Sequence, residues 1–148
     1  MKYRRLRWIV ALVIVLVVVL YPFESIVVPE WKIKIVNERG EPIKGKFARE
    51  SWAHYSLELN PSERGADRWS DDKGFVIFPK GTIRASLVRR AIFPILTSIY
   101  SLAHGSTGIR ADVTVWYGTD NMPKSLNYEP GKPLPDQIVV PVGKKGES

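Results

Sequence analysis

At 148 residues, 45% of them hydrophobic and none cysteine, the chain has room for one modest domain and an apolar N-terminal segment. This excludes a second catalytic domain, disulfides, a lipid-modified cysteine and thiolate chemistry. The formal charge of +7 sits mostly at the start, because four of the 22 Lys and Arg precede Trp8 and the remainder carries 18 basic against 15 acidic side chains. Nucleic acid as a partner needs a clustered positive surface, which that near balance does not provide.

Residues 1–28 read as a basic N-terminus and transmembrane signal anchor. Lys2, Arg4, Arg5 and Arg7 lead into Trp8–Tyr21, an uncharged run made almost wholly of Val, Leu and Ile. The run reaches the ~20 residues of a spanning helix only if it continues through Pro22, Phe23 and Glu24 to Val28. A cleaved secretory signal competes with this reading, but the exit VLYPFESIVVP lacks the small residues of a cleavage site. Both readings put the rest on the periplasmic or extracellular side of an inner or cytoplasmic membrane, single-pass if retained and secreted if cut. Membrane lipid is thus the first expected partner.

The domain is expected over 29–142, with 143–148 as a flexible tail. Trp31–Asn37 alternates apolar with basic, which predicts a strand whose core face is Trp31, Ile33 and Ile35. Glu38–Pro42 follows as a turn. Gly45–Tyr55 predicts a second strand, with a bulge to account for its imperfect alternation. Leu57–Asp67 reads as a loop, Arg68–Ser70 as a short strand, and Asp71–Gly74 as a hairpin turn across which Phe75–Phe78 pairs back. A further strand begins at Ile83.

Residues 87–103 switch to three-to-four spacing, so an extended piece to Arg90 and a short helix from Pro94 are expected. Ile109–Tyr117 predicts the clearest strand, with Ile109, Ala111, Val113 and Val115 inward and Arg110, Asp112, Thr114 and Trp116 outward. Gly118–Lys132 reads as a long loop and Gln137–Val142 as the last strand.

Two of these turns carry a resemblance. Residues 31–47, WKIKIVNERGEPIKGKF, and 70–79, SDDKGFVIFP, resemble the carboxypeptidase regulatory-like or transthyretin-like (prealbumin-like) domains. Gly40, Pro42, Ile43 and Gly45 match that group's G-x-P-I-x-G turn, and Asp71 and Gly74 match its D-x-x-G hairpin. The resemblance implies a mainly β fold: an antiparallel seven-stranded transthyretin-like (Ig-like) β-sandwich, here with one short inserted helix and preceded by an N-terminal transmembrane helix. It also implies a binding, spacing or structural module rather than an enzyme. The related hydroxyisourate hydrolases end in a tyrosine-containing tetrapeptide, whereas this sequence ends PVGKKGES.

Among side chains that carry chemistry, His104 with Ser106 and Asp112 is a poor match to a hydrolytic triad, since AHGST has no glycine-flanked nucleophile elbow. Asp71–Asp72 lacks a calcium-loop pattern, and two histidines give no zinc spacing, so neither a metal nor another cofactor is expected. Trp52, Trp69 and Trp116, with Tyr55, Tyr100 and Tyr117, suit either sandwich core or a stacking surface for sugar or peptide. Trp116, beside Arg110, Asp112 and Thr114, is the candidate interaction surface. Arg84, Arg89, Arg90 and Tyr100 form a candidate membrane-proximal surface or the cover of one end of the sandwich. The function expected is a non-catalytic, membrane-anchored envelope module that binds a protein partner, itself or an assembly. A glycan- or cell-wall-binding module is the alternative, and a small hydrolase the remote one.

Overall fold

The computed structural model describes residues 2–58, 62–104, 108–117 and 122–141. Within them the chain forms α1 (Lys2–Leu20), β1 (Phe23–Val28), β2 (Trp31–Val36), β3 (Phe47–His54), β4 (Arg64–Trp69), β5 (Phe75–Phe78), β6 (Gly81–Ala85), α2 (Leu87–His104), β7 (Ile109–Tyr117), β8 (Met122–Asn127) and β9 (Gln137–Val139). The fold is mainly β, with nine strands among the described residues rather than the expected seven. A three-stranded sheet runs β5-β2-β9, a four-stranded sheet runs β4-β3-β7-β8, and β1 pairs with β6 as a separate ribbon. Pairing is antiparallel except for β2 with β9, which is parallel.

Both larger sheets feed one apolar cluster. Trp31, Ile33, Ile35, Phe78 and Ile138 come from the first, and Ala48, Trp52, Ala111, Val113 and Val115 from the second. The inward faces predicted for β2 and β7 are therefore the observed ones. Burying Trp31 completely requires a partner for its ring N–H, and Nε1 donates to the Pro135 carbonyl at 2.7 Å.

Several expected boundaries move. Phe23–Val28 does not prolong the N-terminal helix; it pairs with β6, Phe23 opposite Ala85. The uncharged part of α1 therefore ends near Leu20, a rise of about 20 Å against a hydrocarbon core of about 30 Å. Among the described residues no helix is long and apolar enough to cross a membrane, which corrects the expected transmembrane helix.

The Asp71–Gly74 turn does not close a hairpin either. It leaves β4 in one sheet and delivers β5 to β2 in the other. The short strand expected at Arg68–Ser70 is the end of β4, which begins inside the expected loop at 57–67, and β8 lies inside that at 118–132; both are edge strands with no apolar alternation. The bulge expected in the second strand is missing: Phe47–Trp52 runs in unbroken register with Trp69–Arg64. Its imperfect alternation comes instead from Glu50, which is 2% exposed among core side chains.

Helix α2 begins at Leu87, because Ser86 caps it by accepting the Arg89 N–H on Oγ. Pro94 is internal, and the Thr97 hydroxyl donates to the Phe93 carbonyl at 2.8 Å just beyond it. The expected tail at 143–148 lies outside the described residues.

The two turns that carried the resemblance meet at one corner. Ser70 accepts the Lys46 N–H on Oγ and donates to the Ile43 carbonyl, both within 2.8 Å. Gly40 and Gly74 each hold φ at 78°, a conformation costly for other residues. Asp71 Oδ1 accepts the N–H groups of Lys73 at 2.9 Å and Phe75 at 2.7 Å. Asp71→Ala is accordingly expected to lower stability by about 1–2 kcal/mol, with Asp71→Asn recovering most of it, as measured by urea unfolding.

Candidate interaction face on the four-stranded sheet

Alternation along β3, β4, β7 and β8 turns one set of side chains away from the core, and strand register sorts them into rows. Phe47 lies opposite Trp69, and Trp116 opposite Pro123. The Phe47 ring centroid is 5.1 Å from that of Trp69 and 5.4 Å from that of Trp116, so three aromatic rings bridge β4, β3 and β7. Trp69 is 68% exposed. A groove of about 510 Å3 opens along the cluster, lined by Gly45, Lys46, Phe47, Trp69 and Trp116.

The next row is polar: Asp67, Arg49, Thr114 and Ser125 stand opposite one another across the sheet. Arg49 grips Asp67 through two hydrogen bonds of 2.7 and 2.8 Å, and its guanidinium stands 5.8 Å from the Phe47 ring and 6.0 Å from that of Trp116. The hydrogen bond from Arg49 holds the Asp67 carboxyl below the usual range, and the same pair raises Arg49. Thr114 Oγ1 lies 2.7 Å from Ser125 Oγ and donates to Asp112 at 3.2 Å. A second hollow of about 330 Å3 continues beside β3 and β4, with Ser51, Glu63, Gly65 and Asp67 in its lining.

The expected surface of Trp116, Arg110, Asp112 and Thr114 is thus a single face of β7. Trp116 and Thr114 join the two rows, whereas Arg110 and Asp112 lie farther along the strand. Phe47, Arg49 and Asp67 belong to the face but escaped the sequence reading, because inward Glu50 obscured the period of β3. Trp52 goes to the opposite side and is buried.

The other expected site residues are scattered. Arg84 is exposed and stands 3.5 Å from Glu24. Arg89 Nε donates to the Leu57 carbonyl, and Arg90 donates to the carbonyls of Ala85 and Phe23. The latter two guanidiniums secure backbone rather than standing free for lipid. The side chains of Tyr100 and His104, and all of Ser106, lie outside the described residues. His54 is half-buried, and burial pulls its imidazole below the usual range. Among the described residues no group of three or more His, Cys, Asp or Glu is placed to hold a metal ion.

No family model matches the sequence, and no curated protein matches it. Among solved structures, a 9R-lipoxygenase from Cyanothece PCC8801 aligns over 78% of this chain and 17% of its own, at 9% identity and a TM-score of 0.38.

Proposed function

We propose that this chain is a non-catalytic, membrane-attached envelope module whose β domain docks a protein partner through the Trp69–Phe47–Trp116 face. The observation that carries this is the ring cluster, exposed at Trp69 and half-buried at Phe47 and Trp116, over a groove of about 510 Å3. Large exposed aromatics cost solvation until they are covered, and they concentrate binding energy in protein interfaces. The Arg49–Asp67 pair supports a defined orientation of the partner, because both groups are already held in place.

The basic start and apolar α1 support attachment to the inner or cytoplasmic membrane. The Gly40–Gly45 turn at the Ser70 corner supports kinship with the carboxypeptidase regulatory-like domains, whose modules serve in binding and assembly, whereas the Asp71–Gly74 turn joins two sheets and is not the hairpin of that group.

The test is a photo-crosslinking residue placed at Trp116 in the full chain in its native membrane, with a second probe at exposed Ile77 as control. One discrete adduct is expected from position 116 and not from 77, and Trp69→Ala should weaken it by at least about 30-fold. Equal labelling from both positions would refute the docking face. A glycan reading is favoured by one feature, the polar row lying directly beside the rings. It predicts instead a tryptophan fluorescence change on adding wall polysaccharide, lost in Trp69→Ala.

A further inference from the structure

Helix α2 is held to the domain along one side. Arg89 reaches the Leu57 carbonyl at 2.9 Å, and Thr97 is 6% exposed with its hydroxyl directed near the Ser56 carbonyl. This fixes the rotation of the helix. Ile92, Ile95, Leu96 and Ile99, at positions i, i+3, i+4 and i+7, form a stripe that is 47, 65, 43 and 64% exposed. Such a stripe on a domain of this size needs a cover.

Its location says what the cover is. Phe23 pairs with Ala85, so α1 enters and α2 leaves at the same end of the β1–β6 ribbon, and the two helices come into contact there. Arg90 clamps that junction by donating to the carbonyls of both Phe23 and Ala85. Tyr21 and Phe23 sit at the junction in edge contact at 5.0 Å, both exposed, as aromatics do at the level of lipid headgroups. Arg84 stands beside Glu24, so the ribbon presents no uncompensated carboxylate there.

The uncharged run of α1 supplies only about 20 Å of apolar length. That is too short to cross the hydrocarbon core, and no stalk separates α1 from the domain. The geometry points to α2 as a second membrane-binding element, its Ile92–Ile95–Leu96–Ile99 stripe entering the headgroup–acyl boundary of the bilayer that holds α1. This rests on the reading that α1 sits in lipid. An interfacial helix of this kind buries its apolar face about 5–10 Å deep. The domain then lies flat against the membrane at a fixed attitude.

The chain has no cysteine, so single labels report one position each. The full chain is reconstituted into vesicles of phosphatidylcholine and phosphatidylglycerol at 3:1, with an environment-sensitive fluorophore on Ile14→Cys, Ile95→Cys, Ile99→Cys or Ile77→Cys. Labels at 95 and 99 are expected to shift to the blue, to be quenched by lipids brominated near the headgroup, and to be several-fold less sensitive to aqueous iodide than the label at 77. If 14 is shielded while 95 and 99 are as accessible as 77, α1 is in lipid and the inference about α2 fails. If 14 is also open to iodide, the membrane reading itself fails. Protection of 95 and 99 from iodide without quenching by brominated lipid would mean that protein covers the stripe, which also overturns the inference.

Discussion

Replacing Glu50 by glutamine is expected to raise stability above pH 8 by about 1–3 kcal/mol and to flatten its dependence on pH. Glu50 is 2% exposed, stands opposite Ala66 and Val113, and has no hydrogen-bond partner for Oε1. Burial pushes its carboxyl from 4.5 to about 7, against a smaller opposing pull from Arg68. The unfolded chain therefore releases this proton first as pH rises. The contribution favouring the folded state is complete below about pH 4.5 and is lost through 7, with an upper bound on the order of 3 kcal/mol. Glu58 and Asp67, held below their ordinary range by hydrogen bonds from Arg64 and Arg49, slope the other way in more acid solution. Urea denaturation at pH 5, 6.5 and 8 checks the prediction. A wild-type curve with no fall between 5 and 8, or a variant that keeps the fall, would assign the dependence to another group.

The second large effect lies on β4. A Cβ at Gly65 would stand 1.8 Å from the backbone oxygen of Glu50, and backbone cannot move aside as a side chain would. Gly65→Ala is expected to cost about 2–4 kcal/mol by forcing β4 away from β3. The lost register would also separate Phe47 from Trp69, so partner binding should fall with stability. Trp69→Ala, in contrast, should lose binding while melting near the wild type. Paired melting and crosslinking measurements distinguish the two; a Gly65→Ala protein within about 0.5 kcal/mol of wild type would show that β4 is not held so closely.

Legibility in the sequence followed exposure to one-sided burial. Strands β2 and β7 separate solvent from core along their length, so period-two alternation exposed both their existence and their inward faces. Strand β8, with Pro123 and almost no burial, lies at a sheet edge, where no pattern is imposed. Strand β4 is an edge for the same reason, and its Gly65 reads as loop until Glu50 is seen against it. Helix α2 starts seven residues before the expected Pro94, because the Ser86 cap is visible only in the structure and Thr97 satisfies the surroundings of Pro94. The face around Trp116 was half legible: β7 announced its own side chains, but Phe47 and Arg49 became neighbours only through pairing across strands distant in sequence.

The parallel pairing of β9 with β2 sets an order of events in biosynthesis. Lys34 lies opposite Gln137, and Trp31 closes on the Pro135 carbonyl, more than a hundred residues away. Until that last stretch has left the ribosome, Trp31, Ile33 and Ile35 have no completed sheet to enter, and contacts of such separation form slowly. On the proposed membrane attachment, α1 would engage lipid well before the domain can close. In that interval the β2 edge that later takes β9 stays unpaired, an opening for pairing with another chain.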